Sequence, residues 1–462
     1  MAVLGRFSGG IGAGRAGLLC LGVGCAQPRP NLIVISLDTL RADRLGAAGG
    51  AGSLSPNLDR FAEESVVFTQ AFAQSNETRF SHASLFTSRY PSELGDLAGE
   101  FNIPASTPTL ASLATAAGYE TAAFVAGGHM AGEFGLSGGF STYEDAADWG
   151  GLQHTAPEAL AWRAARPAGS PSLVFIHSYD CHARYLKPTP WGYLRARPEE
   201  ESLGAVVGRS VAGSGAVIDG AALSDPEAAM VRAGGVLRFN HGAGSAALDP
   251  DPAPLSPADV ALVAGLYDGA VSWADLHFGL LMADLEASGA LEDSYVVVLS
   301  DHGEELGEAG HFGHRLGLDD VNLHVPLLIR PPGGADGRRL DGLVSLLDVT
   351  PTLLDLIGAA PVARARGRSL KPLIEPESGG EVAPVPAVFS EGALRLLSAR
   401  GPSARLVSEG LSADQPYAAP LLAATPIDGV GLRLTGEAAA GPALQAAMAE
   451  WRVALLLGEG AL

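Results

Sequence analysis

Two apolar runs lie far apart in this chain, and both end in side chains that commonly bind metals. Residues 32–37 lead into Asp38, and residues 295–300 lead into Asp301 and His302. Continuous apolar runs rich in β-branched residues are typical of parallel strands that are covered on both faces. Because ligands bind beyond the carboxyl ends of the strands in an open α/β sheet, we expect these three side chains to meet at one place.

Oxygen and imidazole ligands that converge at one point are typical of a divalent cation site. The expected cofactor is therefore one divalent metal ion, and Ca²⁺, Mg²⁺, Mn²⁺ and Zn²⁺ all remain open. The alternative for Asp38 is that it caps the helix that follows, a common role of aspartate. The presence of two such strand ends in one chain favours the metal site.

From residue 29 to about residue 374 the chain alternates apolar runs with helix-like stretches, the pattern of β-α-β units. This pattern predicts an α/β fold with a mostly parallel sheet, forming one large domain at residues 29–374. A small α+β subdomain is expected at residues 387–462. Residues 195–257 are rich in Ala, Gly, Pro and Asp, and they are either an insertion over the active-site face or a poorly ordered excursion.

The first 28 residues resemble a bacterial signal peptide. They contain Arg6 and Arg15, followed by a short apolar stretch that ends before Cys25 and is too short to span a bilayer. We predict export to the periplasm, or to the outer membrane as a lipoprotein with a lipid anchor on Cys25. The alternative is a Gly-rich N-terminus that carries no targeting signal. No later segment is long and apolar enough to cross a membrane.

The charge of the chain limits the classes of molecule that it can bind, and its cysteine content limits the disulfides that it can form. Fifty-one acidic residues against 30 Lys and Arg give a formal net charge of −21, which argues against nucleic acid because phosphate backbones require a basic footprint. An anionic substrate is still compatible, since a bound metal can reverse the local field. Two of the three cysteines lie in the signal-like segment, so Cys181 has no partner for an internal disulfide.

Residues 75–91 read as a loop that enters a helix. If the helix begins near Phe80, Thr78 lies at its N-terminal end, where free N–H groups favour an anion. A threonine hydroxyl needs a metal or a base to act as a nucleophile. His82 lies four residues further on and could contact the hydroxyl or a substrate oxygen. The alternative is that Thr78 is a helix cap and His82 a surface or core residue.

Several segments, in this order along the chain, are similar to the sulfatase branch of the alkaline-phosphatase superfamily. The matching segments are residues 30–43, 55–59, 81–87, 300–308, 324–329 and 351–355. The resemblance implies an alkaline-phosphatase-like sheet sandwiched by helices. It also implies that Asp38, Asp301 and His302 bind the metal and that the nucleophile, here Thr78, completes its coordination.

The chain departs from the family pattern at the nucleophile. Sulfatases carry a cysteine or serine there that matures to formylglycine, followed by proline and arginine; here the three positions are Thr78, Phe80 and His82. Threonine at this position resembles the superfamily's phosphodiesterases and phosphate-group transferases, which pass through a phospho-threonine. A second departure is Thr39, where many members have another metal-binding aspartate.

Two further histidines are candidates for the active site. The family's histidine that contacts anionic substrate oxygens corresponds to His182, which follows the apolar run 173–177. A Gly/His loop at residues 310–314 suggests His314 as the general acid, with His311 as its rival, because an imidazole titrates near neutral pH. His177 and Asp180 are further candidates for a role in the site, and the alternative for each is a helix cap or a hydrogen bond that supports another residue of the site.

These observations predict an exported, metal-dependent hydrolase or transferase of phosphate or sulfate esters in which Thr78 attacks the ester. The expected substrate is a small-molecule, glycan or lipid ester. Two alternatives stay open: a sulfatase that works without formylglycine, and a noncatalytic family member that binds an anionic glycan.

Overall fold

The structure of this protein is a computed structural model. It describes the following residues: 29–50, 54–95, 101–147, 149–167, 169–182, 185, 187, 257–308, 312–314, 317–379, 382, 385, 387–392, 396–408, 432–436, 443, 446 and 447. The signal-like segment with Cys25, His311, and the segment 195–257 except Pro257 lie outside the described residues.

Nine of the described strands form one central sheet. In chain order the first eleven described strands, of which all but β7 and β8 belong to this sheet, are β1 Asn31–Leu37, β2 Val66–Phe72, β3 Glu120–Phe124, β4 Thr142–Glu144, β5 Ser172–Ser178, β6 Ser294–Leu299, β7 Glu305–Leu306, β8 Phe312–Gly313, β9 His324–Val325, β10 Leu327–Arg330 and β11 Arg339–Ser345. The sheet order is β11-β2-β10-β6-β1-β5-β3-β4, with β9 paired to β2, while β7 and β8 form a separate ribbon.

The sheet is mostly parallel, as the sequence predicts. Strand β1 lies at its centre and pairs in parallel with both β5 and β6. The exceptions are β10, which runs antiparallel to β6 and β2, and β9, which runs antiparallel to β2. Parallel neighbours cannot be joined by a tight turn, and the helices between them supply the crossover connections.

Helices cover both faces of the sheet. The described helices are α1 Pro56–Glu63, α2 Thr78–Thr87, α3 Leu110–Ala116, α4 Leu152–Ala164, α5 Pro257–Ala287, α6 Asp320–Leu323, α7 Val349–Leu356 and α8 Lys371–Ile374. Helices α2, α3 and α7 pack on one face, and α1, α4 and α5 pack on the other.

Strand β1 shows why its sequence is apolar throughout. Leu32 and Val34 belong to the core on the α2 side, and Ile33, Ile35 and Leu37 belong to the core on the α5 side. Successive side chains of a strand point to opposite faces, so a strand buried on both faces can be apolar at every position.

A second, antiparallel sheet follows the main domain. It consists of β12 Val388–Gly392, β13 Leu396–Arg400, β14 Ala404–Ser408 and β15 Leu432–Gly436, in that order. It contacts the main domain through β12, where Ser390 Oγ donates to the backbone oxygen of Ala73 at 2.6 Å. Within the described part of the chain, none of the helices is long and apolar enough to cross a membrane.

Candidate active site and metal centre

The parallel pairing of β1 and β6 brings the two polar strand ends together. Ser36 lies opposite Leu299 in this pairing, so the residues that follow the two strands leave the sheet at the same level. One ligand atom each from Asp38, Asp301 and His302 lies within 4.8 Å of the others, and all three residues are buried. The structure therefore brings together the three residues that the sequence predicts as metal ligands.

Helix α2 delivers the fourth predicted residue. The helix begins at Thr78, two residues earlier than the sequence suggests, with Glu77 at the capping position. Thr78 Oγ1 lies 3.3 Å from His302 Nε2, and the Thr78 side chain is near enough to the Asp38 carboxylate to lower the pKa of that group. Ser81 Oγ donates to the backbone oxygen of Asp301 at 2.6 Å, which fixes the helix start against the end of β6.

The carboxylates fit a cation because they are buried and incompletely bonded. Asp38 Oδ1 and Asp301 Oδ2 have no hydrogen-bond partner, which is uncommon for buried oxygens. Burial raises the pKa of Asp38 to about 6. Burial and the neighbouring Asp38 charge raise the pKa of Asp301 as well. A divalent cation at this point would supply the positive charge that these oxygens lack.

The His302 ring is also oriented so that it could bind a cation. Its Nδ1 lies 2.9 Å from the backbone oxygen of Gly303, so Nδ1 carries the proton and Nε2 presents a lone pair towards Asp301 and Thr78. Burial alone would lower the pKa of His302, but the charges of Asp301 and Asp38 outweigh burial and raise it.

A second layer of buried histidines supports these ligands. His177 Nε2 lies 3.3 Å from Asp38 Oδ2, and the ring of His82 lies 5.1 Å from that of His177. Burial lowers the pKa of each of these two imidazoles to about 4, so both are neutral at pH 7. Asp180 caps α4 instead, since its Oδ2 accepts from Leu152 N at 2.8 Å.

His82 lies elsewhere than the sequence suggests. It is fully buried, its Nε2 lies 2.9 Å from Ser36 Oγ, and its Nδ1 lies 2.8 Å from the backbone oxygen of Thr78. The ring therefore contacts the backbone oxygen of Thr78 and not its hydroxyl, while the contact of His82 with a substrate oxygen stays a prediction. Residues four apart on a helix lie on the same face, and here the His82 ring reaches the backbone of Thr78 at the start of α2.

His314 lies beside His302, and His182 lies beside His314. The ring of His314 is 4.4 Å from that of His302 and 5.3 Å from that of His182. His314 Nδ1 lies 3.0 Å from Glu304 Oε1, a contact that orients the ring. Both histidines are thus close enough to the metal ligands to contact an ester bound there.

Sequence reasoning missed the residues that shape the turn after β1. Thr39 has a φ of +59°, a left-handed conformation that is unusual for a β-branched residue. Its backbone oxygen accepts from Tyr267 Oη at 2.7 Å, and Tyr267 Oη accepts from Arg41 N at 3.0 Å. Thr39 N donates to Asp301 Oδ1 at 3.3 Å. No local signal in the sequence connects Tyr267, on α5, with this turn.

Comparisons with known proteins agree with this architecture. The family model described as Sulfatase matches residues 30–359. The chain is 25% identical over 365 residues to an ulvan-active sulfatase of Formosa agariphila, covering 76% of this chain and 67% of that protein.

Solved structures share the fold at lower identity. A phosphonate monoester hydrolase of Agrobacterium radiobacter superposes with a TM-score of 0.65 at 21% identity, covering 93% of this chain and 96% of that one. A protein solved with its substrate D-glucosamine-2-N,6-O-disulfate gives 0.64 at 19% identity, with the same coverage. The family match spans most of the main domain, and the chain therefore belongs to the sulfatase family of ester-bond hydrolases.

Proposed function

We propose that this protein is a metal-dependent hydrolase or transferase of phosphoesters, including phosphonate monoesters, in which Thr78 is the nucleophile. The observation that carries the proposal is the position of Thr78 Oγ1, at the start of α2 and 3.3 Å from His302 Nε2. Asp38, Asp301, His302 and Thr78 would hold the divalent cation. When bound, the cation supplies Lewis-acid charge that favours the alkoxide form of a coordinated hydroxyl and stabilises charge on the transferred group.

Different residues of the chain carry out the separate steps of the reaction. Thr78 Oγ1 forms a bond to phosphorus as the bond from phosphorus to the leaving oxygen breaks. The hydroxyl proton passes to the neighbouring Asp38 carboxylate, whose pKa burial raises to about 6. His314 gives a proton to the leaving oxygen, and the N–H groups at the start of α2 and the His182 ring stabilise the peripheral oxygens. Water, or an acceptor alcohol, then takes the phosphoryl group from Thr78.

Sulfate ester hydrolysis is the second candidate function. It is supported by the family match and by the names of two similar proteins, one active on ulvan and one bound to a disulfated glucosamine. The reason to place it second is Thr78: a secondary alcohol does not supply the aldehyde hydrate that sulfatases use. These two names make glycan sulfate esters the expected substrates of this second candidate.

Turnover by two variants at position 78 tests the nucleophile. Phenyl phosphate, a phosphodiester, phenylphosphonate monoester and phenyl sulfate are offered to the wild type, Thr78→Ala and Thr78→Ser in the presence of Mn²⁺. We expect phosphoester turnover by the wild type, a loss on the order of 10³-fold or more in Thr78→Ala, and substantial recovery in Thr78→Ser, which keeps the hydroxyl. Acid-quenched wild type should carry one phosphoryl group on the peptide that contains Thr78.

The outcomes separate the candidates. Dominant phenyl sulfate turnover that depends on Thr78 would establish the second function. Full phosphoester activity in Thr78→Ala would contradict the proposed nucleophile.

We also propose that the protein is exported and anchored through Cys25. The proposal is supported by the composition of residues 1–28, which has the charged start, short apolar stretch and cysteine of a lipoprotein signal. Expressed in a bacterium, the wild type should fractionate with membranes and label with palmitate, while Cys25→Ala should do neither. Recovery of unlabelled, full-length wild type in the cytoplasm would contradict the anchor.

A further inference from the structure

Trp149 is a large apolar side chain that the fold leaves exposed beside the candidate site. It is 46% exposed, although tryptophan is usually largely buried. Its indole lies 5.4 Å from the ring of His182 and 4.8 Å from that of Tyr179. Because the His182 ring is 5.3 Å from His314, the indole borders the side of the cluster where the leaving group of an ester would emerge.

The backbone holds Trp149 in this position against its own preference. Its φ is +55°, in the left-handed region that non-glycine residues rarely adopt. The adjoining turn is tied to the end of β5, since Tyr179 N donates to the backbone oxygen of Gly150 at 3.0 Å. Strained residues held by their surroundings are often functional.

Gly128, on a neighbouring loop, allows the Trp149 indole to pack closely against that loop. A Cβ on Gly128 would lie 3.3 Å from both Cε2 and Cζ2 of the Trp149 ring, tighter than ordinary contact. The same loop is attached to the site through Tyr179, whose hydroxyl accepts from His129 N at 3.0 Å. The indole is therefore supported from below while almost half of its surface stays open to a ligand.

Polar rings border the exposed indole. The imidazole of His129 stands at 88° to the indole plane, with 5.7 Å between ring centroids, and His182 lies on another side at 46°. A flat, electron-rich face with polar neighbours suits a sugar ring, which places C–H groups on an aromatic face and hydroxyls at its rim. An acyclic alcohol would leave the indole uncovered.

We propose that Trp149 is a substrate-binding platform on which a pyranose ring of a glycan ester stacks while the ester group lies at Thr78. This inference rests on the proposed function, because it assigns the substrate class of the same site. Trp149 acts on affinity for the sugar and takes no part in bond making or breaking.

Equilibrium binding tests the platform without requiring turnover. Trp149→Ala, Trp149→Phe and Leu280→Ala are each made in a Thr78→Ala background, and binding is measured by calorimetry with Mn²⁺ present. Leu280 is the matched control because it is 55% exposed and apolar but lies on α5. The ring-shaped probes are glucose 6-phosphate and glucose 6-sulfate, and the acyclic probes are ethyl phosphate and ethyl sulfate.

We expect Trp149→Ala to weaken affinity for the glucose ester by on the order of tenfold and to reduce the preference for the glucose ester over the matching ethyl ester by the same factor. Trp149→Phe should restore most of the affinity, and Leu280→Ala should equal its parent. Unchanged glucose-ester affinity in Trp149→Ala, an equal loss for the ethyl esters, or no glucose-ester binding by the parent would each overturn the platform. A wild type that binds glucose esters through Trp149 yet turns over no ester would contradict the proposed function and leave the platform intact.

Discussion

Asp38 and Asp301 are two carboxylates placed in a site with almost no exposure to water. Each is at most 1% exposed, and removing a carboxylate from water without a partner costs several kcal/mol. The raised pKa values of both groups express this cost. A cation bound by the two carboxylates would offset both the cost of removing them from water and the repulsion between their charges.

His177 has a testable role in holding Asp38. Its Nε2 lies 3.3 Å from Asp38 Oδ2, so it orients a metal ligand from behind. We predict that His177→Ala lowers the affinity for Mn²⁺ by about 10- to 100-fold, the usual effect of removing such a support. His177→Gln keeps a donor near the Nε2 position and should lose much less. Competition with a fluorescent chelator measures both, and equal affinity in His177→Ala and wild type would exclude the role.

At the scale of elements, the site depends on where strands and helices end. Strands β1 and β6 deliver Asp38 and Asp301, and α2 starts at Thr78 directly over them. Helix α2 is almost wholly buried, so its first turn cannot shift without disturbing the core. The backbone N–H groups of that turn are thereby fixed where the ester oxygens would lie.

A contact of strand β12 predicts how stability depends on pH. Glu391 is buried, and its two carboxylate oxygens accept from Ser92 N and Ser92 Oγ, both at 2.8 Å. Burial raises its pKa to about 7, and the hydrogen bonds from Ser92 only partly oppose this. The folded state therefore binds a proton that the unfolded state has already lost between about pH 4.5 and 7. The contribution of Glu391 to stability is present at low pH and is lost as the pH rises through 7.

We predict that Glu391→Gln removes this dependence. The glutamine can accept from Ser92 N and donate to Ser92 Oγ while carrying no charge. Between pH 5 and pH 8 the free energy of unfolding of the variant should rise relative to that of the wild type by on the order of 1–3 kcal/mol. Urea unfolding at several pH values measures the difference, with the exposed Glu377→Gln as control. Parallel curves for Glu391→Gln and wild type would contradict the assignment.

At the scale of the whole molecule, the candidate metal site joins segments that are distant in the sequence. Its three candidate ligands follow β1 and β6, and α2 lies between these strands in sequence. A ligand that binds only the folded state adds RT ln(1 + [L]/Kd) to stability, about 2.7 kcal/mol at a hundredfold excess over Kd. The cation should therefore act on unfolding of the entire domain.

Metal removal tests this expectation. We predict that EDTA lowers the Tm of the wild type by roughly 3–8 °C and that a divalent cation restores it. Asp38→Asn removes one ligand and one buried charge, so its Tm should be insensitive to both additions. A wild-type Tm that does not respond to EDTA or to Ca²⁺, Mg²⁺, Mn²⁺ or Zn²⁺ would argue against a bound ion.

Much of the fold could be predicted because its signals are local. The apolar runs before Asp38 and Asp301 identify buried strands, and their abrupt polar ends identify the edge of the sheet at which ligands bind. The convergence of these residues with Thr78 follows from the parallel order of the strands. The position of His82 could not be predicted, since the spacing that places it on the face of Thr78 does not say whether that face meets the cleft or the core.

The sequence by itself determined the fold class, the polar strand ends and the presence of threonine at the start of α2, because periodicity and residue type act over a few neighbouring positions. Tertiary structure alone decided three contacts: Tyr267 with Thr39, His177 with Asp38, and Glu304 with His314. It also decided that Trp149 packs on Tyr179 while staying partly exposed. Each of these depends on the direction of side chains brought together from distant segments, and that direction is set by packing after the chain has folded.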